Sequence, residues 1–262
     1  ELGIAGRVAL IGGSSKGLGK ATAMALAREG ANVTVCARGE SELHKTAQEI
    51  AAATSATQVL AVVADLSRIE DAQWVVQEAV RRFGRLDILV NNTGGPPRGV
   101  PSELGDDQWY DALNLNFLSA VRLSREALPS MRRQGWGRII NVSGLAARQS
   151  GSTVGSMRNV AVAALTKNLA DELGPHGINV TVVHPGLTRT EATPGVIDAH
   201  ARSEGVTAEE IEARMARANS VRRIIDAREI AYVVAFLASP RSVAINGDAI
   251  AAGGGAGRAI HY

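Results

Sequence analysis

Arg7-Val-Ala-Leu-Ile-Gly12 is an apolar run that breaks into Gly13-Ser-Ser-Lys-Gly-Leu-Gly19 and resumes as the helical pattern Gly19–Arg28. An aliphatic run without polar alternation marks a parallel strand covered on both faces. Glycines then permit a tight turn in which the backbone can approach a pyrophosphate, held at the N-terminus of the following helix. A glycine-rich turn alone reads equally as a loop. The strand before it and the helix after it make this one a dinucleotide cradle.

The same alternation runs outward to the end of the chain. Strands are expected over Asn32–Ala37, Gln58–Asp65, Leu86–Asn91, Gly137–Ser143, Ile178–His184 and Ala244–Ala251, with helices such as Arg68–Phe83 between them. In that helix Ala72, Val75, Val76, Ala79, Val80 and Phe83 recur at helical spacing, and charged or amide residues fill the other face. Sustained alternation implies βαβ units, right-handed crossovers and a doubly wound parallel sheet of about seven strands with helices on both faces. No linker interrupts it, so residues 1–262 are expected to form a single α/β domain. Thr188–Ala218 departs from the pattern and contains Thr207-Ala-Glu-Glu210, a capping box that opens a short helix. A helical insertion beside the carboxyl ends of the strands is expected to act as a lid over the substrate.

Composition narrows the partners. The 28 basic and 26 acidic residues leave a net charge of +2 and are interspersed, so no basic stripe marks nucleic acid as a partner. No run of about 20 apolar residues points to a membrane, and residues 1–8 lack the basic-then-apolar pattern of a leader. A lone cysteine, Cys36, excludes an intrachain disulfide and points to a reducing cytoplasm. No His, Cys and carboxylate cluster has metal-ligand spacing, so no metal is expected.

Taken in order, the motifs resemble those of the short-chain dehydrogenase/reductase family, and the resemblance implies a Rossmann fold. Gly13-x-x-x-Gly17-x-Gly19 is similar to the family's cofactor turn, with Gly12 where threonine is usual. Asp65-Leu66 resembles its adenine-side motif, and Asn91-Asn-Thr-Gly94 its Asn-Asn-Ala-Gly. His184-Pro-Gly-Leu-Thr-Arg-Thr190 resembles the Pro-Gly motif whose later threonines hold the nicotinamide amide. Asn246-Gly-Asp and Gly253-Gly254 resemble the strand that closes the sheet. The resemblance covers nearly the whole chain. It implies cofactor contacts from Gly13, Ser15, Lys16, Gly17, Leu18, Gly19, Asp65, Leu66, Asn92, Gly94, Pro185, Gly186, Thr188 and Thr190. The identity of the dinucleotide turns on the second strand, which ends Val35-Cys-Ala-Arg38 without the carboxylate that NAD enzymes place there. The planar fork of Arg38 can pair with a 2′-phosphate. Lys16, otherwise an ordinary turn lysine, is a second cation. NADP(H) is expected in preference to NAD(H).

The same resemblance implies a Tyr-x-x-x-Lys pair on the helix after the fifth strand. That spacing puts both on one face, where the lysine lowers the tyrosine's pKa for acid–base work at the carbonyl oxygen. Counting back from Ala163–Leu173 puts Gly155 and Asn159 in those two places. The tyrosines are Tyr110, Tyr232 and Tyr262, and none has lysine four residues on. The family's serine corresponds to Ser143, with Gly144 in the alternative place one residue later, and its helix asparagine to Asn116. Arg158, three residues after Gly155, projects on the same side of the helix. It can stabilise an alkoxide but cannot donate a proton near neutrality. Ser152, Thr153 and Ser156 offer hydroxyls without an evident activator. His176 and His184 carry imidazoles, the side chain suited to proton transfer near neutrality, but sit in positions read as structural.

Two functions stay open. One is an NADP(H)-dependent oxidoreductase moving hydride between nicotinamide and a small carbonyl or alcohol substrate, with Ser143, Asn116 and Arg158 as catalytic residues and solvent as proton source. The other is a non-catalytic NADP(H)-binding sensor, scaffold or partner subunit. Gly94–Gly99 and Thr188–Ala218 are expected to border the pocket. The small and apolar run Val160–Leu165 allows close helix approach across a two-fold axis, so a homotetramer or homodimer is expected.

Overall fold

A computed structural model describes residues 1–54, 57–94, 103–150 and 153–257. Its strands in chain order are β1 (Val8–Gly12), β2 (Asn32–Ala37), β3 (Val59–Val63), β4 (Ile88–Asn91), β5 (Gly137–Val142), β6 (Ile178–Pro185), β7 (Thr188–Arg189), β8 (Ile225–Asp226) and β9 (Ala249–Ala252). Seven of them form one sheet in the order β3-β2-β1-β4-β5-β6-β9, while β7 and β8 pair separately. The pairings in the large sheet are all parallel. The fold is the expected doubly wound Rossmann type.

The burial of β1 explains its unbroken apolar sequence. Ala9 and Ile11 face a core shared with α1 (Gly17–Arg28), α2 (Glu40–Ala53) and α9 (Ala227–Leu237). Val8 and Leu10 face the opposite core, built with α3 (Ile69–Phe83), α5 (Ser119–Gln134) and α6 (Thr153–Leu173). Alternation persists in direction, but both directions are apolar. A buried polar chain pins the second layer. Asn91 Nδ2 donates to Asn141 Oδ1 at 2.8 Å, and Asn141 Nδ2 donates to Thr166 Oγ1 at 2.8 Å. Asn91 also reaches Ser124 Oγ at 3.3 Å, so β4, β5, α5 and α6 share one network. Buried hydrogen bonds of this kind fix register, because any slip strands the donors that make them.

Several expected boundaries shift by a residue or two, and two departures are larger. The last strand begins at Ala249 rather than Ala244. Gly247, at φ +76°, donates to Val180 O at 2.8 Å, and Asn246 Oδ1 accepts from Val180 N at 2.8 Å, so the chain is still turning there. Segment 188–218 is not wholly helical. It starts as β7, which pairs with β8, and then forms α7 (Thr193–Glu204) and α8 (Ala208–Arg217). Thr207 caps α8 as its spacing predicted: its hydroxyl accepts from Glu210 N and its own amide donates to the Glu210 carboxylate, each at 3.2 Å. Strand order reverses between β1 and β4, and a crevice opens beyond the carboxyl ends of the strands at such a switch point.

Candidate active site

A cleft of about 920 Å³ lies there, lined from Arg38, Glu42 and Asp65 at one end to Asn116, Ser143, Arg158 and Asn159 at the other. Its floor is the turn between β1 and α1. Gly13 sits at φ +61°, and a Cβ on it would collide with the Asn92 carbonyl oxygen. A Cβ on Gly19 would collide with the Gly13 carbonyl and lie 2.7 Å from Asn92 Nδ2. That amide donates to Gly12 O at 3.4 Å and Gly13 O at 3.2 Å, which fixes the turn from the β4 side. Ser14, fully buried, fixes it from below: its hydroxyl donates to Ile11 O at 2.7 Å and accepts from Cys36 N at 2.8 Å. Thr46 of α2 donates to Ser15 O at 2.7 Å. The turn thus brings a rigid backbone, bare of side chains at Gly13 and Gly19, to a helix N-terminus, the arrangement that a dinucleotide pyrophosphate requires. The fit is good.

At the Arg38 end both candidate cations, Arg38 and Lys16, are exposed on the cleft wall. Partial burial pushes the nearby Asp65 carboxyl up. Hydrogen bonds from the Ser67 hydroxyl at 2.7 Å and amide at 3.0 Å, with the charges of Arg38 and Arg68, outweigh that and hold it below its ordinary range. Leu66, buried, lines the cleft beside it.

At the other end Asn116 lies in a π-helical turn, Asn114–Leu118, between α4 (Asp106–Leu113) and α5. Its Nδ2 donates to Ala112 O at 2.8 Å. Gly94, at φ +148°, packs so closely that a Cβ would collide with Asn116 Oδ1. Single π-turns of this kind cluster at functional sites because the widened turn re-aims a side chain. Ser143 follows β5, its amide bonded to Val183 O at 2.9 Å. Its hydroxyl meets the Asn159 carbonyl only at 3.5 Å, a weak contact that leaves it available. Asn159, 8% exposed, reaches Gly144 O at 3.4 Å. Arg158 lines the same wall, and burial lowers its pKa. A guanidinium nonetheless stays charged at neutral pH.

Of the residues singled out from sequence, Gly13, Ser15, Lys16, Leu18, Arg38, Asp65, Leu66, Asn92, Gly94, Thr190, Asn116, Ser143 and Arg158 line this cleft together. Gly17, Gly19, Pro185, Gly186 and Thr188 do not line it. Gly17 and Gly19 shape the turn, while Pro185 ends β6 and Gly186 follows it, where a Cβ on Gly186 would lie 2.8 Å from the Gly253 Cα. Thr188 Oγ1 donates to Gly186 O at 2.9 Å. Of the other hydroxyls, Ser156 donates to Gln149 O at 2.7 Å. Ser152, Tyr262 and residues 95–99 lie outside the described residues. His184 is buried, with its pKa pushed down to about 4 by burial and then by Arg148. Cys36 is buried too, its thiol pushed up to about 12 by burial first and then by Asp71 and Asp65. Glu42, Val142 and Val162 also line the cleft and escaped the sequence reading.

Comparison with known proteins gives a consistent result. A short-chain reductase, NovJ, of Streptomyces niveus is 36% identical over 249 residues, covering 95% of this chain and 93% of its own. L-sorbose reductase from Gluconobacter frateurii, solved with NADPH and L-sorbose, matches with a TM-score of 0.93 at 31% identity over 97% of this chain and 98% of that one. Actinorhodin polyketide ketoreductase, solved with NADPH, matches with a TM-score of 0.88 at 31% identity over 95% and 96%. The family model described as short chain dehydrogenase matches residues 7–200. With its glycine turn, its switch-point cleft and these matches, the chain belongs to the short-chain dehydrogenase family.

Proposed function

We propose that this protein is an NADP(H)-dependent oxidoreductase acting on a small carbonyl or alcohol substrate through an altered proton relay. One observation carries the reading: a single cleft joins the Arg38 and Lys16 end, the glycine turn and the Ser143, Asn116 and Arg158 group. The NADPH held by L-sorbose reductase and by actinorhodin ketoreductase supports it. When bound, the dinucleotide supplies hydride to the substrate carbon. Arg38 and Lys16 pair with its 2′-phosphate, and the amides of the glycine turn take the pyrophosphate. The Ser143 hydroxyl donates to the substrate oxygen. Asn116 Oδ1 accepts from a water beside it, and Arg158 stabilises the charge that grows there. Solvent then delivers the proton to that oxygen.

Gly155 and Asn159 are read as standing where the family's tyrosine and lysine belong. Tyr110 and Tyr232, both exposed, do not line the cleft. Lack of a placed general acid costs about two to four orders of magnitude, which slows turnover without abolishing it. Residues 1–262 act as one domain, and the α7–α8 segment closes over the substrate. Met157 and Val160, exposed on α6, supply an apolar contact for a homodimer or homotetramer.

The test is titration with NADPH and NADH, followed by turnover on a panel of ketones, aldehydes and alcohols. Tighter NADPH binding with measurable turnover is the expected result. Tight binding with no turnover on a broad panel would favour a sensor or scaffold, the reading supported by a cleft lining that has no tyrosine among the described residues.

A further inference from the structure

The segment after β6 is anchored at two places that its sequence motif does not account for. Behind, Arg189 pairs with Glu212 of α8, and β7 pairs with β8. In front, the Gly17 amide donates to Glu191 Oε2 at 3.0 Å across 174 residues of sequence. The first turn of α1 contains no acidic residue, and its N-cap, Lys16, makes no side-chain cap. Glu191 therefore supplies from a distant element the carboxylate that this positive helix end favours. The carboxylate is held in place by a braced turn. Thr193, 6% exposed, accepts from Thr190 N at 2.8 Å through its hydroxyl, and its amide bonds Thr190 O at 3.1 Å. Lys16 and Leu18 line one rim of the cleft and Thr190 and Ala192 the facing one, so the bond from Gly17 to Glu191 bridges the two rims. The cleft stays open beneath it.

We propose that Glu191 is a positioning residue that latches the strap 188–193 across the mouth of the dinucleotide cleft and so slows cofactor release. The carboxylate takes the amide of Gly17, which does not line the cleft, and leaves the lining residues Gly13, Ser15 and Leu18 to the ligand. It touches neither the reacting atoms nor the 2′-phosphate end, so it acts on residence time and not on the chemical step. The inference rests on the dinucleotide reading above, and its test separates the two.

In stopped-flow displacement, Glu191→Ala should release NADPH about two- to fivefold faster than wild type, the range set by a carboxylate at a helix end. Glu191→Gln, which keeps an acceptor without the charge, should fall between them, and 0.5 M salt should narrow the difference. In cofactor-free protein, hydrogen exchange at the first turn of α1 and at 188–193 should rise together in Glu191→Ala. Unchanged release, or slower release because the carboxylate competes with the pyrophosphate, overturns the latch. So does unchanged exchange. A wild type that binds no NADPH defeats the dinucleotide reading instead, while the exchange comparison still decides whether Glu191 ties the two rims.

Discussion

The two ends of the cleft are held by different means. At the glycine turn, backbone meets backbone: Gly13 lies against the Asn92 carbonyl and Gly19 against the Gly13 carbonyl, with no room for a Cβ. At the Ser143 end, side chains reach backbone carbonyls at the limit of hydrogen bonding, 3.5 Å from the Ser143 hydroxyl to Asn159 O and 3.4 Å from Asn159 Nδ2 to Gly144 O. Rigidity there comes from beneath, through Asn91, Asn141 and Thr166. A site made of close-packed backbone tolerates no added atom. One made of side chains on a braced frame can exchange its chemistry and keep its shape.

The contrast is testable, beginning where the effect is largest. Gly13→Val forces a branched side chain into a positive φ and into Asn92, at a cost of about 2–5 kcal/mol. Urea unfolding and NADPH fluorescence should show both a lower midpoint and binding lost by more than about 100-fold. A variant that folds and binds like wild type would erase the distinction between the ends. Arg158→Ala should leave stability and NADPH affinity nearly unchanged but reduce kcat by about 10²–10³, the scale of a lost oxyanion donor. Coupled loss of cofactor binding would mean that the ends are not separable. Arg38→Ala should weaken NADPH by about 1–3 kcal/mol, roughly five- to 150-fold, and leave NADH untouched. Equal losses for the two cofactors would count against a 2′-phosphate contact.

At neutral pH the smallest effect is expected at His184, beside the Pro-Gly turn. Its folded pKa, about 4, lies below the ordinary 6.5, so unfolding takes up a proton between those values. Its contribution is complete above about pH 6.5 and is lost as the pH falls toward 4. Stability measured across that window should slope for wild type and flatten for His184→Gln; parallel slopes would show the proton going elsewhere.

Legibility followed the same divide. The apolar β1 run and the glycine spacing announced the sheet and the turn, because a backbone constraint leaves a residue-type mark at fixed spacing. Strand β2 was bounded correctly at Asn32–Ala37. The start of the last strand was not, since the bonds of Asn246 and Gly247 to Val180 are long-range and nothing nearby encodes them. Ser143, Asn116 and Arg158 were found through family spacing, yet their convergence with Val142 and Val162 on one wall needed the fold. The bond from Gly17 to Glu191 left no local trace at all, because neither residue is unusual in its own neighbourhood.

The π-turn at Asn114–Leu118 also says something about insertions and deletions. A wide turn amounts to one surplus residue spliced into an otherwise continuous rod. Removing any one residue of it would let α4 and α5 fuse into a regular helix, with better local hydrogen bonding. That repair would rotate everything on the N-terminal side by about 100° relative to α5. Asn116 would swing off the cleft and Gly94 would face a different neighbour. The segment is therefore intolerant of changes in length even where it accepts changes of residue, and its count of residues is as much a part of the site as their identity.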